Sequence, residues 1–383
     1  MLSPDRADDI SLYIHFPWCV RKCPYCDFNS HEAKRDIDEH RYVNALISDF
    51  DSSLDTLADR FVKSIFLGGG TPSLFSGHSL MQLLEHVRSG ARCRENMEVT
   101  LEANPGTLEH DDFGRYLEAG INRLSLGVQS FDDACLAAIG RIHTASAALK
   151  AVENARKSGF CNINIDLMFG LPGQSVDMSV RDCEQAMACE TEHISFYQLT
   201  LEPNTRFYLH PPRLPDHDTL FDMQQRLQAS LENRGFMQYE VSAYAQPGMH
   251  CRHNSHYWEF GDYLGIGAGA HSKITARDRV SRHWNEKHPE RYQKKIEGGA
   301  SWRHCRPIER DTLIIECLMN ALRLKDGVRL DLCEQRTGQD RGAITDRLGP
   351  LCDEGLLSIE NDRVRCSAWG YLFIDEIIQR LLP

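Results

Sequence analysis

Tyr13-Ile-His-Phe-Pro-Trp-Cys19-Val-Arg-Lys-Cys23-Pro-Tyr-Cys26-Asp-Phe28 runs from an apolar, strand-like segment into a loop carrying three cysteines spaced C-x3-C-x2-C. Soft thiolates select zinc or iron-sulfur clusters, and three of them leave one iron of a [4Fe-4S] cluster open to an outside ligand. A chelating amino acid suits that vacancy. The spacing alone also admits a structural zinc site completed by His15 or His31. Arg21 and Lys22 lie inside the loop, placed to temper the negative charge of a cluster. The other cysteines are mostly scattered singly, as at Cys93, Cys135, Cys161, Cys317 and Cys366, and read as reduced packing residues.

Downstream, strand-like apolar runs alternate with helical patterns, the signature of repeated βα units and a parallel sheet. Strands are expected near 12–16, 62–67, 98–102, 123–128, 163–169 and 194–201, with helices between them at 38–53, 79–89 and 145–158. Six such units are too few for an eight-stranded barrel, so the expected fold is α/β, a partial (β/α)6 barrel with its ligands at the carboxyl ends of the strands. Gly68-Gly69-Gly70-Thr71-Pro72 ends the second strand, where missing side chains let backbone approach a ligand. The same edge carries Glu102, able to accept from a ribose diol or an ammonium, and then Gln129, Arg141 and Asp166. A zinc knuckle does not explain this recurrence of polar residues at successive strand ends, whereas a cluster beside a small-molecule pocket does.

The rest of the chain sets bounds. At 383 residues with 42% hydrophobic and 26% charged residues it is an ordinary globular protein. Its formal net charge of -12 argues against general nucleic-acid binding, which needs clustered cations. The polar, acidic N-terminus lacks the pattern of a secretory or transit segment, so the expected location is the cytoplasm. Three parts are expected: the partial barrel over 1–205, a barrel-closing extension over 206–305, and a winged-helix-like module over 306–383. In the extension a helix is expected at 218–233, followed by a Gly-rich apolar stretch at 263–270. The C-terminal part reads as helices at 311–322 and 343–354, a hairpin turning at Glu360-Asn361-Asp362, and a helix at 368–382.

C-x3-C-x2-C with an aromatic before the last cysteine resembles the signature of the radical-SAM superfamily. That resemblance implies a [4Fe-4S] cluster that passes an electron to S-adenosylmethionine, with a 5′-deoxyadenosyl radical as the outcome. Leu126-Gly-Val-Gln-Ser-Phe131, Gly140-Arg-Ile-His143, Asp166-Leu-Met-Phe-Gly-Leu-Pro-Gly173 and Tyr197-Gln-Leu-Thr200 look like motifs of its oxygen-independent coproporphyrinogen III dehydrogenase group. Similarity to that group implies cofactor contacts from Tyr13, Tyr25, Gly69, Gly70, Thr71, Glu102, Gln129, Arg141 and Asp166.

One position departs from the dehydrogenase pattern. Those enzymes carry a further cysteine two places after the third cluster cysteine, and this chain has Phe28 there. Cys26-Asp-Phe28-Asn-Ser instead resembles the HemW branch, the heme chaperones of the group. His253-Asn254-Ser255-His256-Tyr257-Trp258 is similar to that branch's H-N-x-x-Y-W motif. Imidazole is a common axial ligand of heme iron and phenolate a rarer one. The motif therefore offers His253 first and Tyr257 second, with His250 and His256 as rivals in the same stretch. The resemblance implies a protein that binds heme and passes it to membrane respiratory cytochromes, meeting them through a protein partner at the membrane surface. The cluster and S-adenosylmethionine would then serve transfer or homodimerisation, without oxidation of coproporphyrinogen; the alternative is a radical-SAM oxidoreductase of the oxygen-independent coproporphyrinogen III dehydrogenase type.

Overall fold

The computed structural model describes residues 9–34, 36–57, 60–106, 113–276 and 279–382. Six parallel strands form its centre: β1 (Ile10–Phe16), β2 (Phe61–Gly69), β3 (Arg92–Ala103), β4 (Arg123–Gln129), β5 (Ile163–Phe169) and β6 (His193–Gln198). They pair in chain order, each strand parallel to the next. The expected partial barrel is therefore present, and its sheet is not closed.

Successive side chains of a strand point to opposite faces, and the sequence uses both faces. Ile10, Leu12, Ile14 and Phe16 of β1, and Leu124, Leu126 and Val128 of β4, are buried in the main hydrophobic core. The helices that cover this face contribute matching stripes. Helix Glu39–Asp51 starts where the Asp38 side chain accepts from the Arg41 N–H, and it buries Tyr42, Val43, Leu46 and Phe50. Burying each such side chain is worth about 1.5–3 kcal/mol. The opposite face of the strands is polar: Ser11, Tyr13 and His15 of β1, Thr100 and Glu102 of β3, and Arg123, Ser125 and Gln129 of β4. A closed barrel fills its interior with apolar layers, whereas this one keeps a polar lumen.

The extension joins the same sheet at both edges. β7 (Met237–Glu240) and β8 (Ala243–Ala245) add an antiparallel hairpin beside β6. On the other side β9 (Tyr263–Ile266) pairs in parallel with β1, followed by antiparallel β10 (His271–Ala276), β11 (Arg279–Asn285) and β12 (Arg303–Pro307). The full order is β12-β11-β10-β9-β1-β2-β3-β4-β5-β6-β8-β7. β9 is thus a seventh parallel strand, inside the segment whose sequence reads only as Gly-rich and apolar. It spans four buried residues without alternation, and Gly265 is held by the next strand: a Cβ there would stand 2.0 Å from the His271 carbonyl oxygen.

Asp49, on helix Glu39–Asp51, ties the extension to the barrel. Its fully buried carboxylate accepts from the Gly267 N–H (3.0 Å), Asn285 Nδ2 (2.8 Å), the Tyr292 hydroxyl (2.6 Å), Trp302 Nε1 (3.1 Å) and Arg303 Nη2 (2.5 Å).

The C-terminal part has a hydrophobic core of its own, built from residues such as Leu318, Val328, Ile344, Leu348, Val364 and Ile377, with Phe260 and Val280 of the extension packed into it. Its helices are Arg310–Ala321, Leu330–Thr337, Arg341–Asp353 and Ile374–Leu381. The hairpin pairs Leu357–Glu360 with Arg363–Cys366, turning through Asn361 (φ 48°) and Asp362 (φ 63°), as a tight primed turn requires. Leu330–Thr337 was not expected from the sequence, and the last helix is preceded by a 3-10 turn at Gly370–Phe373, so it starts later than 368.

Removing one partner of a buried charge network leaves the others unsatisfied. Asp49→Ala should therefore cost about 3–5 kcal/mol in denaturant unfolding. A loss below about 1 kcal/mol would show that the network does not hold the extension to the barrel.

Candidate functional site

The cysteine loop leaves the carboxyl end of β1 and is closed on itself. Trp18–Cys19 pairs in parallel with His31–Glu32. Lys22 Nζ donates to the carbonyls of Phe28 (2.9 Å) and Ser30 (3.1 Å) from inside the loop, and the Cys26 N–H donates to the Cys23 carbonyl at 3.2 Å. Cys19, Cys23 and Cys26 are free thiols, each partly buried, and all three line one cavity of about 350 Å³. Burial pushes the Cys19 and Cys26 thiols up from their ordinary range, while Lys22 near Cys26 opposes it.

The glycine turn is laced to this loop. The Gly70 N–H donates to the Phe16 carbonyl (2.7 Å) and the Thr71 N–H to the Trp18 carbonyl (2.7 Å). Side chains are excluded here by the protein itself. A Cβ on Gly69, whose φ is +110°, would stand 2.4 Å from the His15 ring, and one on Gly70 would stand 2.5 Å from the Trp18 carbonyl oxygen. Gly68 leaves room for the Glu102 carboxylate, and the Gly69 N–H donates to Glu102 Oε2 at 3.0 Å.

A polar chain runs on from Thr71. Asn104 Nδ2 donates to Thr71 Oγ1 (2.8 Å), and Arg141 Nη2 donates to Asn104 Oδ1 (2.5 Å) and to the Gly127 carbonyl (2.6 Å). Arg141 Nη1 reaches Cys23 Sγ at 3.7 Å, and among the described residues its buried Nε has no hydrogen-bond partner. Asn104 is the link that sequence reasoning missed. It lies in the Asn104-Pro105-Gly106 segment that follows β3, and a turn-forming sequence does not mark its side chain as a bridge.

Gln129 ends β4 with φ +69°, beside an irregularity in the pairing with β5. That left-handed backbone is uncommon away from glycine and collects at functional sites. Asp166 accepts from Ser125 Oγ and Asn164 Nδ2, each at 2.8 Å, and burial raises its carboxyl above the ordinary range despite those bonds.

The three cysteines share their cavity with Tyr25, Gly69, Gly70, Thr71, Glu102, Gln129, Arg141 and Asp166. Tyr13 stands apart from this group. Its hydroxyl meets His15 Nδ1 at 3.0 Å, and it lines a second cavity of about 800 Å³ inside the barrel. The two cavities adjoin, since Gly69, Glu102, Asp166, Tyr197 and Phe28 line both. Phe28, 59% exposed, stands at their shared mouth.

The second cavity also receives His253 and Tyr257, from helix Arg252–Trp258. Glu98, midway along β3, accepts from the Arg252 and His253 N–H groups at 3.1 Å each, fixing that helix beneath the lumen. His253 is buried, with Nδ1 at 3.2 Å from Ser64 Oγ and its ring against Phe66. Burial first and the charge of Arg123 second lower its pKa to about 3, so the imidazole is neutral, the form that binds a metal. The rivals point elsewhere. His256 Nε2 bonds the Asp262 carbonyl at 3.0 Å, and His250 stacks on Tyr239 with ring centroids 4.1 Å apart. His15 has both ring nitrogens engaged, with Tyr13 and with the Asn29 carbonyl, which leaves none for a metal.

Glu102 faces both cavities, and its carboxyl is pushed up to about 7, by burial first and by the nearby charge of Asp166, with the Gly69 N–H opposing. A folded-state pKa above the ordinary 4.5 means stability is greatest below that pH and declines as the pH rises towards about 7. Glu102→Gln keeps an acceptor for the Gly69 N–H and removes the charge. It should stabilise the ligand-free protein at pH 8 by about 1–2 kcal/mol and change it little at pH 4.5. Equal effects at both pH values would contradict this account of the site.

Comparison with known proteins agrees with this geometry. The radical SAM superfamily model matches residues 13–184, and the model of the HemN C-terminal domain matches 308–373. The chain is 42% identical to the heme chaperone HemW of Haemophilus influenzae, covering 98% of this chain and 99% of that protein, and 42% identical to the Escherichia coli heme chaperone HemW over 98% and 99%. It is 35% identical to the mouse mitochondrial radical S-adenosyl methionine domain-containing protein 1, over 100% of this chain and 89% of the relative. Among solved structures, the coproporphyrinogen III oxidase HemN of Escherichia coli superposes with a TM-score of 0.82 at 23% identity, over 98% of this chain and 90% of that one, which is a likeness of fold. The chain belongs to the HemW heme chaperone family of the radical SAM superfamily.

Proposed function

We propose that this protein is a heme chaperone: it holds heme in the barrel lumen beside a [4Fe-4S] cluster and S-adenosylmethionine, and delivers the heme to hemoproteins. The observation that carries the reading is the adjoining pair of cavities, one lined by the three cysteines and the other by His253.

The donor set fits the cluster. Cys19, Cys23 and Cys26 would supply three thiolates, and Arg141 and Lys22 bring positive charge to the sulfur atoms. When bound, the cluster would supply electron transfer and an open iron for the amino and carboxylate groups of S-adenosylmethionine. The laced Gly69-Gly70-Thr71 backbone, Glu102, Gln129 and Asp166 would position that molecule. Tyr25 would stand beside the cluster and Tyr13 on the lumen side.

His253 would meet the iron of heme through its ring, held by Ser64 and by the Phe66 contact. Tyr257 lines the same cavity and is the second candidate. A cavity of about 800 Å³ is in the range of pockets that bury ligands of this size. Phe28 at the mouth offers an apolar surface where the porphyrinogen-oxidising pattern has a thiol.

The acceptors on this reading are respiratory hemoproteins of the membrane, reached through contact with a protein at its surface from a cytoplasmic location. Among the described residues no helix is long and apolar enough to cross a membrane. Homodimerisation belongs to the same proposal, as does the division into parts 1–205, 206–305 and 306–383.

Anaerobic reconstitution of the cluster followed by heme titration tests the reading. Wild-type protein should develop a Soret band, and His253→Ala should weaken or shift it. Coproporphyrinogen III with S-adenosylmethionine and a strong reductant should give no protoporphyrinogen. Appreciable turnover would replace the chaperone reading with the dehydrogenase one.

A further inference from the structure

Arg123 opens β4 on the lumen side and is only 2% exposed, among the largest fully buried side chains of the protein. Inward positions of β4 run Arg123, Ser125, Gly127 and Gln129, while Leu124, Leu126 and Val128 face the apolar core. At about 3.3 Å per residue these six steps span roughly 20 Å from floor to rim. Gln129 lines the smaller cavity near the cysteines, and Arg123 lines the floor of the larger one beside His253.

A guanidinium cannot lose its charge in a protein, so burying it demands compensation. The charges of Glu98 and Asp166 favour the guanidinium through space, but a direct partner is missing. Among the described residues Arg123 Nε has no hydrogen-bond partner and no carboxylate is ion-paired with Arg123. The hydrogen bonds of both carboxylates go to other groups. Glu98 accepts from the N–H groups of Arg252 and His253 and from Cys251 Sγ. Asp166 accepts from Ser125 and Asn164.

A planar donor fork in a water-poor cavity is matched by a planar carboxylate, which it can bind through two parallel hydrogen bonds. We propose that Arg123 is the anion anchor of the lumen and receives a carboxylate of the bound ligand, which on the heme reading above is a propionate of the porphyrin. This fixes the direction of the macrocycle: a propionate edge faces the floor, and the opposite edge faces the mouth at Phe28.

Heme and its dimethyl ester, titrated against the reconstituted full chain, test this without altering the protein. Esterification should weaken binding to wild-type protein by roughly tenfold or more, the scale of a charged hydrogen bond. Arg123→Gln, checked for folding by circular dichroism and thermal melting, should bind heme as weakly as the wild type binds the ester, and should no longer distinguish the two. Arg123→Lys should restore part of the preference. Equal affinity of the wild type for both compounds overturns the anchor and leaves heme binding standing, as does an Arg123→Gln protein that still prefers free heme. Failure of the wild type to bind either compound overturns the heme reading and the anchor together.

Discussion

The close approach of two loops at the carboxyl ends of neighbouring strands constrains everything else. The cysteine loop follows β1 and the glycine turn follows β2, and they are joined by backbone hydrogen bonds from Gly70 to Phe16 and from Thr71 to Trp18. That contact leaves no room for a Cβ at Gly69 or Gly70. It also sets the direction of Thr71, from which the chain through Asn104 and Arg141 returns to Cys23. Thiols from one loop are thereby held against carboxylates and amides contributed by other strands, a rigid arrangement built on sheet ends rather than on free loops.

The polar lumen extends the same logic inward. Strand alternation gives the outer face its apolar helices and leaves the inner face to Ser, Tyr, His, Arg and Asp side chains. Stability therefore comes from the outer layer, and the interior is available for ligands. The open sheet needs a floor, and the extension provides it. Helix Arg252–Trp258 lies below the lumen, anchored by Glu98, and Asp49 fastens the strands that follow it to the barrel wall.

Much of this was legible in the sequence, for identifiable reasons. The six central strands are apolar runs bounded by Gly, Pro and Asn, and their ends carry the motif residues, so topology and site could be read together. Where alternation failed, the reading failed with it. β9 is four buried residues inside a glycine-rich stretch, and its status as a strand depends on β1 being beside it. Helix Leu330–Thr337 is short and weakly amphipathic, stabilised by packing in the C-terminal core rather than by its own pattern. The family resemblance implies a cofactor contact for Tyr13, and its inward position on β1 sets it in the larger cavity, which shares Gly69 and Glu102 with the smaller one. The motif puts His253 ahead of its rivals His250 and His256, and the fold gives the three different directions: His253 to the lumen, His256 to the Asp262 carbonyl, His250 to Tyr239. Arg123 carried no motif signal, because a guanidinium at a strand start is ordinary until its burial is known.

The central claim is that three sulfur donors seat a four-iron cluster with one iron left for an outside ligand. Electron paramagnetic resonance of the anaerobically reconstituted, dithionite-reduced protein addresses it directly, read before and after adding S-adenosylmethionine and alongside metal and sulfide analysis. The account predicts about four irons and four sulfides per chain and a spectrum that changes when the molecule binds. Zinc with negligible sulfide, or an iron signal indifferent to S-adenosylmethionine, would contradict it.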